Sequence, residues 1–157
     1  MDADKITNVD KISIVMKFYR LERWFWNHKL YFFSKIIWRL IYILFSCQIP
    51  PTTVLEDSVN IAHGVGIVIH QNSRVGKGTI IDQNVTIGSG TGPQIGENCM
   101  LCAGCCILGD IKIGNNVIIG ANSVVLNDIP DNCTVVGIPE KIIKKGGKRV
   151  GEKDVTD

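Results

Sequence analysis

Residues 94–126, QIGENCMLCAGCCILGDIKIGNNVIIGANSVVL, carry a six-residue period. Counting from Ile95 in steps of six reaches a large aliphatic residue each time: Ile95, Leu101, Ile107, Ile113, Ile119 and Val125. A fixed period sustained over this many steps is the signature of a repeat architecture, in which each unit stacks on its neighbours. This stretch therefore decides the fold class.

The same grid extends toward the N-terminus with one offset. Stepping back from Ile87 gives Ile81, Val75 and Ile69, displaced by two residues across the segment 88–93. A second column, four residues after each anchor, holds small or β-branched residues: Ser73, Thr79, Val85, Cys99, Cys105, Ile111, Val117 and Ser123. Three six-residue sides form one rung, and stacked rungs share a core. We predict a mainly β fold, a left-handed parallel β-helix of hexapeptide repeats over residues 49–140.

Turns between the sides need residues that tolerate unusual backbone angles. Glycine often follows an anchor, at Gly76, Gly88, Gly96, Gly114 and Gly120. Asparagine recurs nearby, at Asn84, Asn98, Asn115, Asn116 and Asn122. We interpret both sets as turn residues with relaxed φ.

Residues 1–48 have a different pattern and form a predicted N-terminal helical segment. Aliphatic and aromatic residues surround Lys35 and Arg39, which lie four apart on one helix face, and Pro50 and Pro51 are expected to end the helix. The apolar face either packs on the β-helix or another subunit, or contacts a membrane surface peripherally. Residues 141–157 form a basic C-terminal tail, expected to lose order after Gly146.

Composition excludes several classes of function. The chain has 157 residues and a net charge of +2, too small to indicate nucleic-acid binding. The N-terminus has no basic and apolar signal pattern, and the apolar stretch 40–49 is about half of a membrane span. We therefore expect a cytoplasmic protein whose six cysteines are reduced.

Among the three histidines, His63 is the candidate general base. It lies in IAHGVGIVIH, next to a glycine, where the aliphatic grid is interrupted. An imidazole exposed on the coil wall can take a proton from a hydroxyl at neutral pH, although an idle surface histidine fits this position equally well. His70 is interpreted as a surface turn residue, and His28 as structural.

The cysteines raise the possibility of a metal site. Cys99 with Cys102, and Cys102 with Cys105, have the two-residue spacing of a zinc knuckle. However, the repeat places Cys99 and Cys105 in the small inward column, where a thiol acts as a small apolar group. A three-histidine metal site would need one more histidine than the β-helix contains. We predict no metal.

An acyl carrier needs a long groove with close backbone approach and some cations. Ala103 and Ala121 are small enough for a pantetheine arm to lie close, and Lys141, Lys144 and Lys145 could reach phosphates. An ordinary solvated tail explains the three lysines equally well.

From Ile49 to Ile143 the chain resembles the serine acetyltransferase branch of the hexapeptide-repeat acyltransferases. The run IAHGVGIVIHQNSRVGKGTIIDQNVTIGSGTG resembles that branch's histidine-containing coil, and GDIKIGNNVIIGANSVVLNDIPDNCTVVGIPEKII resembles its acetyl-CoA-binding end. The resemblance implies a homotrimer with active sites between subunits and acetyl transfer from acetyl-CoA to a hydroxyl. It implies His63 as catalytic base, Cys102 as a backbone amide facing the thioester, and Gly137 in the closing GIP as part of the cofactor site.

Three departures from the family pattern bear on the acceptor. Ala62 replaces an aspartate before the histidine, Gly92 replaces a second histidine, and Gln48 replaces the aspartate that orients the base. These changes remove partners for a charged amino acid, so we predict a sugar or glycan hydroxyl as acceptor, with Gln48 holding the His63 tautomer. The alternatives are serine O-acetylation in cysteine biosynthesis and a non-catalytic trimeric scaffold.

Overall fold

The computed structural model describes residues 13–150 and begins with two helices. Helix α1 spans Ile14–Asn27, and α2 spans Tyr31–Phe45. The Ser13 hydroxyl caps α1 by accepting from the Met16 N–H at 3.5 Å. Helix α2 ends before the prolines expected to stop it, because Ser46 adopts the left-handed conformation with φ of 53°.

Short strands after α2 form three faces of a coil. Face A consists of β3 (Val68–Ile69), β6 (Thr86–Gly88), β9 (Cys106–Leu108) and β12 (Val124–Val125). Face B consists of β1 (Val54–Leu55), β4 (Arg74–Val75), β7 (Gln94–Ile95) and β10 (Lys112–Ile113). Face C consists of β2 (Asn60–Ile61), β5 (Ile80–Ile81), β8 (Met100–Leu101), β11 (Ile118–Ile119) and β13 (Cys133–Val136), and the antiparallel strands β14 (Lys141–Lys145) and β15 (Lys148–Arg149) extend it.

Parallel pairing links each strand to the strand one turn later, so the chain climbs as a coil. Ile61 pairs with Ile81, Ile81 with Leu101, and Leu101 with Ile119. The anchors of the grid, from Ile69 to Val125, are buried and fill the interior together with the second column. The predicted mainly β, left-handed parallel β-helix with a helical segment before it is confirmed.

The register departs from a strict six-residue grid at two further places. The sequence predicted one offset, which lies between Ile87 and Ile95. The structure adds a second, because Ile61 and Ile69 occupy successive core positions eight residues apart. Nearer the C-terminus the spacing shortens to four residues, between the buried Val125 and the buried Ile129. Ile129 forms a parallel β-bridge with Ile113. The first of these, residues 62–66, contains His63.

Glycines after the anchors have a different purpose from the one expected. None of Gly76, Gly96 and Gly114 has a positive φ; they stack directly over one another. A Cβ on Gly76 would lie 2.6 Å from the Gly96 carbonyl oxygen, and one on Gly96 would lie 2.6 Å from that of Gly114. Close approach between turns, and not backbone freedom, requires glycine here. The asparagine prediction fares better, since Asn84, Asn98, Asn116 and Asn122 are left-handed and Asn115 is not.

The helical hairpin packs on the first turn of the coil. The Tyr19 hydroxyl donates to the Thr53 carbonyl at 2.7 Å and accepts from the Leu55 N–H at 3.1 Å. Val15 lies against Gly64, where an added Cβ would be 2.2 Å from the valine Cγ2. None of the described helices has the length and apolarity of a membrane span.

The C-terminal residues close the other end of the coil. Strand β14 runs antiparallel to β13, pairing Lys141 with Val136 and Lys145 with Cys133. Strand β15 pairs Arg149 with Lys144, so regular structure continues beyond Gly146, where order was expected to end. Backbone pairing with β14 holds these residues in place.

Candidate active site

One corner of the coil collects most of the predicted site residues. We call it the C–A corner: the turns that lead from face C to face A, at residues 62–66, 82–84, 102–104, 120–122 and 137. Backbone hydrogen bonds join successive turns: Asn84 N–H to Val65 O at 2.9 Å, Gly104 N–H to Gln83 O at 3.0 Å, and Asn122 N–H to Ala103 O at 3.0 Å. Four steps at ordinary strand spacing make the corner about 19 Å long. It carries His63, Cys102, Ala103, Ala121 and Gly137.

His63 lies at the end of this corner nearest the helical hairpin. The two-residue insertion lengthens its turn, and the side chain is exposed. The Val65 N–H donates to the His63 carbonyl at 2.8 Å and fixes the turn, and Gly64 is pressed against Val15 of α1. Among residues 13–150 no group hydrogen-bonds to the His63 ring, which leaves both nitrogens open to a substrate.

The backbone amides of the corner are not equally available. The Cys102 N–H donates to the Ile119 carbonyl at 3.0 Å, so the amide expected to face the thioester is used within the coil. The N–H groups of Ala103 and Ala121, one turn apart, have no backbone acceptor in the described residues. Both residues are solvent-accessible. Their amides are therefore better candidates than that of Cys102 to donate a hydrogen bond to a bound thioester.

Two corner residues were missed by the sequence reasoning. Asp82 and Gln83 are half-buried on the turn between those of His63 and Ala103. Their place follows from the register, because Ile61 pairs with Ile81 and the next residues turn the same corner. The signal in the sequence is a turn length of 20 residues, which places Ile61, Ile81 and Leu101 at equivalent positions. The prediction of a single offset did not reveal this turn length.

The basic C-terminal residues form a groove at the closing end of face C, which runs from Lys141 near the C–A corner to Lys145 near Cys133. It has a volume of about 600 Å³, and its lining includes Lys141, Lys145, Lys148 and Arg149. Lys144 is half-buried on β14 and does not line it. Glu140 borders the groove, but its carboxylate accepts from the N–H groups of Leu126 at 3.2 Å and Asn127 at 3.0 Å. The sequence reasoning named Lys141, Lys144 and Lys145 and missed Lys148 and Arg149.

Gln48 lies away from this corner, on face A. It bridges in parallel to Val68, and its N–H donates to the Ile67 carbonyl at 2.7 Å. Its side chain is exposed and lines a groove of about 400 Å³ that also contains His70 and Ser89. In the described chain no hydrogen bond joins Gln48 to the His63 ring, so its role in holding the tautomer stays a prediction.

His70 lies at the opposite edge of face A, beneath the loop 88–93. Its Nδ1 accepts from the Asn72 N–H at 3.3 Å, which leaves Nε2 as a donor. A Cβ on Gly92 would lie 3.0 Å from Nδ1, so the ring occupies the space next to this glycine. Asp110 holds the loop through the Thr91 hydroxyl at 2.9 Å and the Thr91 N–H, and these hydrogen bonds, with the nearby His70, lower the pKa of the Asp110 carboxyl.

The cysteines have the surroundings of core residues. Cys99 and Cys105 are buried, and the Cys99 Sγ donates to the Gly114 carbonyl at 3.1 Å. Burial raises the pKa of the Cys105 thiol to about 12, which opposes the thiolate form that a metal needs. Among the described residues no group of three or more His, Cys, Asp or Glu side chains is arranged to hold a metal ion.

Comparison with known proteins places this geometry in a family. Residues 92–127 match the family model "Bacterial transferase hexapeptide (six repeats)". The chain is 40% identical over 142 residues to a serine acetyltransferase of Synechococcus elongatus, covering 87% of this chain and 58% of that protein. It is 40% identical over 133 residues to one of Staphylococcus xylosus, covering 81% and 62%. The chain thus spans about three fifths of the length of these relatives.

Solved structures agree with the sequence relatives. A serine acetyltransferase in complex with CoA superposes with a TM-score of 0.77 at 33% identity, covering 82% of this chain and 55% of that one. The serine acetyltransferase of Brucella abortus strain S19 gives a TM-score of 0.80 at 30% identity, covering 85% and 57%.

These findings overturn the sugar or glycan acceptor predicted from the sequence. The replaced residues Gln48, Ala62 and Gly92 argued against serine, but the relatives at 40% identity are serine acetyltransferases and so are the similar structures. Loss of a few polar partners does not identify a new acceptor, because the fold offers other polar groups, among them His70. The chain belongs to the hexapeptide-repeat acyltransferases, in their serine acetyltransferase-like branch.

Proposed function

We propose that this protein is an O-acetyltransferase that moves the acetyl group of acetyl-CoA to the hydroxyl of L-serine. The observation that carries the proposal is the C–A corner, which aligns an exposed histidine and two unused backbone amides on one edge of the coil and ends near Lys141, where the basic groove begins. Its length of about 19 Å suits an extended acyl carrier lying along stacked turns. The names of the relatives support serine as acceptor.

The corner supplies each group that acyl transfer needs. His63 removes the proton from the serine hydroxyl as its oxygen bonds to the thioester carbon. The Ala103 amide donates a hydrogen bond to the thioester oxygen as negative charge develops on it. The carbon–sulfur bond then breaks, the CoA sulfur takes the proton from the His63 imidazolium, and O-acetylserine and CoA leave. Protons and electron pairs balance without a metal or a redox partner.

The rest of the corner would hold the cofactor. The Ala121 amide lies one turn beyond Ala103 and would bind the pantetheine arm, with Gly137 leaving room at the closing turn. Lys141, Lys145, Lys148 and Arg149 surround a groove whose charge would attract the phosphates of CoA. Lys144 would contribute long-range attraction only.

The outward residues of the coil favour a homotrimer. On the parallel strands of faces A and C they are uncharged, including Val68, Cys106, Met100 and Ile118, whereas face B presents the charged Arg74 and Lys112. We infer that face A lies toward the threefold axis, so that its two edges meet between neighbouring protomers, which would bring His63 of one protomer toward His70 of the next. The His70 Nε2 would then donate to the serine carboxylate, and Gln48 would lie in the same interface.

The three parts of the chain would have separate tasks. In the predicted division, 1–48 would be the helical segment, 49–140 the acyltransferase domain and 141–157 a basic tail for the cofactor phosphates. Acetyl-CoA as co-substrate and six cysteines without disulfides favour the cytoplasm as the site of action.

Thiol release from acetyl-CoA tests this function directly. The wild type should release CoA at a rate that rises with L-serine, and His63→Ala should lower kcat between about 100-fold and about 10,000-fold, the usual contribution of a general base. His28→Ala is the matched control, because His28 is exposed at the end of α1 and should leave the rate unchanged.

Two results would contradict the proposal. A wild-type rate in His63→Ala would remove the base from the mechanism. Thiol release that does not respond to serine would remove the acceptor, and an additional lack of acetyl-CoA binding would favour the non-catalytic scaffold.

A further inference from the structure

The helical hairpin, residues 14–45, exposes an unusually large apolar surface. Helix α2 buries one narrow stripe, Ser34, Ile37 and Ile41, against the rest of the molecule. The remaining circumference is exposed, with Phe32 at 71% and Ile43 at 65% accessibility. The same surface includes Phe33, Ile36, Leu40 and Leu44. A soluble surface rarely carries this many large apolar side chains together, and such a patch is typical of a binding surface.

The charges around this face have one sign. Between Ser13 and Ser46 the sequence contains six cations and one carboxylate, and the carboxylate, Glu22, is fully buried. The five exposed cations are Lys17, Arg20, Lys29, Lys35 and Arg39. Two copies of such a surface would bring like charges together, whereas an anionic partner would be attracted.

Aromatic residues complete the pattern. Trp24, Tyr31 and Tyr42 are about half exposed, and Trp26 and Trp38 are partly so. Indole and phenol rings prefer the boundary between an apolar phase and water, because one end is apolar and the other can hydrogen-bond. With 15 residues, α2 is about 22 Å long, so it can lie in such a boundary but not cross a bilayer.

We propose that the exposed face of the hairpin docks the protein on an anionic lipid bilayer. The helices lie parallel to the surface, with the α2 side chains in the acyl boundary and the cations among the phosphate headgroups. Because Val15 of α1 packs on Gly64, the His63 end of the coil faces the bilayer and the basic cofactor groove faces away from it.

Vesicle co-sedimentation of the full chain tests the proposal. The protein should bind vesicles of phosphatidylcholine and phosphatidylglycerol in equal parts, bind phosphatidylcholine alone much more weakly, and dissociate at high salt. Phe32→Ser with Ile43→Ser should abolish binding. Lys35→Glu with Arg39→Glu should weaken it roughly tenfold or more, given the attraction of each cation for an anionic surface.

The control variant reverses the charge of a lysine outside the hairpin. Lys112→Glu changes an exposed lysine of face B and should bind vesicles like the wild type. Thermal unfolding of each variant shows that the fold is intact, and thiol release in solution is followed separately from vesicle binding. Equal binding of the wild type to both kinds of vesicle, or none to either, would overturn the proposal. So would hairpin variants that bind vesicles normally but lose a subunit contact in sedimentation velocity.

Discussion

Glu22 is a buried carboxyl group that lowers the stability of the folded chain when it ionises. Its carboxylate is fully buried in the hairpin, and neither oxygen has a hydrogen-bond partner among the described residues. Burial raises the pKa of this carboxyl from its ordinary value of 4.5 to about 8. The side chain is therefore protonated at neutral pH, and ionisation costs the folded state free energy.

This pKa predicts a pH-dependent stability. Between about pH 4.5 and 8 the unfolded chain has lost the proton and the folded chain keeps it, so the free energy of unfolding falls as pH rises. Glu22→Gln should remove this component and flatten the curve. Urea unfolding at pH 5 and pH 8 measures it, with Glu97→Gln on an exposed turn as control. An equal pH slope in wild type and Glu22→Gln would contradict the burial of the charge.

At the scale of elements, the turns set how tightly the coil can wind. The sequence identified most of the turn positions, because glycine and asparagine recur with the period of the anchors, although Gly88 ends strand β6 instead. It did not separate residues chosen for φ from residues chosen for space. Asn98 illustrates the first class with a φ of 54°, and Gly96 the second, because the neighbouring turn fills the place of a side chain.

The stacked glycines predict a sharp difference between two alanine substitutions. Gly96→Ala places a Cβ 2.6 Å from the Gly114 carbonyl oxygen, and the overpacking should cost about 1–3 kcal/mol. Gly88→Ala is the matched control, since no heavy atom of residues 13–150 lies within 4 Å of its Cβ. It should be neutral or slightly stabilising. Thermal unfolding at equal protomer concentration compares the two, and equal losses of stability would argue against close approach at Gly96.

At the scale of the whole molecule, the candidate site is split between two edges of face A. His63 lies on the corner before β3, and His70 follows β3, so the core strand separates them. In one protomer they face different sides. Only a neighbouring protomer would unite them, and this predicts complementation between two defective variants.

Mixed trimers of His63→Ala and His70→Ala test that arrangement. Co-expression should produce interfaces that pair an intact His63 with an intact His70, about a quarter of all interfaces in a cyclic trimer at random mixing. Serine-dependent thiol release at low serine should therefore exceed the mean of the two separate variants. A mixture no more active than that mean would show that the two histidines do not share an intersubunit site.

The six-residue grid made the fold predictable from the sequence, because inward aliphatic residues repeat wherever stacked turns share one core. The same grid removed the cysteines from consideration as metal ligands, and the structure agrees that Cys99 and Cys105 are buried. The irregular turn that contains His63 was identifiable because it interrupts the pattern, and the role of His63 as general base stays a prediction. The acceptor was not identifiable, since missing partners such as those at Ala62 and Gly92 say nothing about which groups replace them.

The order of residues along the chain thus determined the repeat, the inward positions and the location of the irregular turn at His63. Tertiary structure alone decided which backbone amides remain unused, because hydrogen bonds between turns occupy the Cys102 N–H and, within the described part of the chain, leave those of Ala103 and Ala121 without a backbone acceptor. It also decided that Lys148 and Arg149 join the basic groove and that His70 lies beside Gly92. These facts depend on the register between strands that lie 16 to 20 residues apart along the chain. Two-residue insertions shift this register, and the local sequence does not encode it.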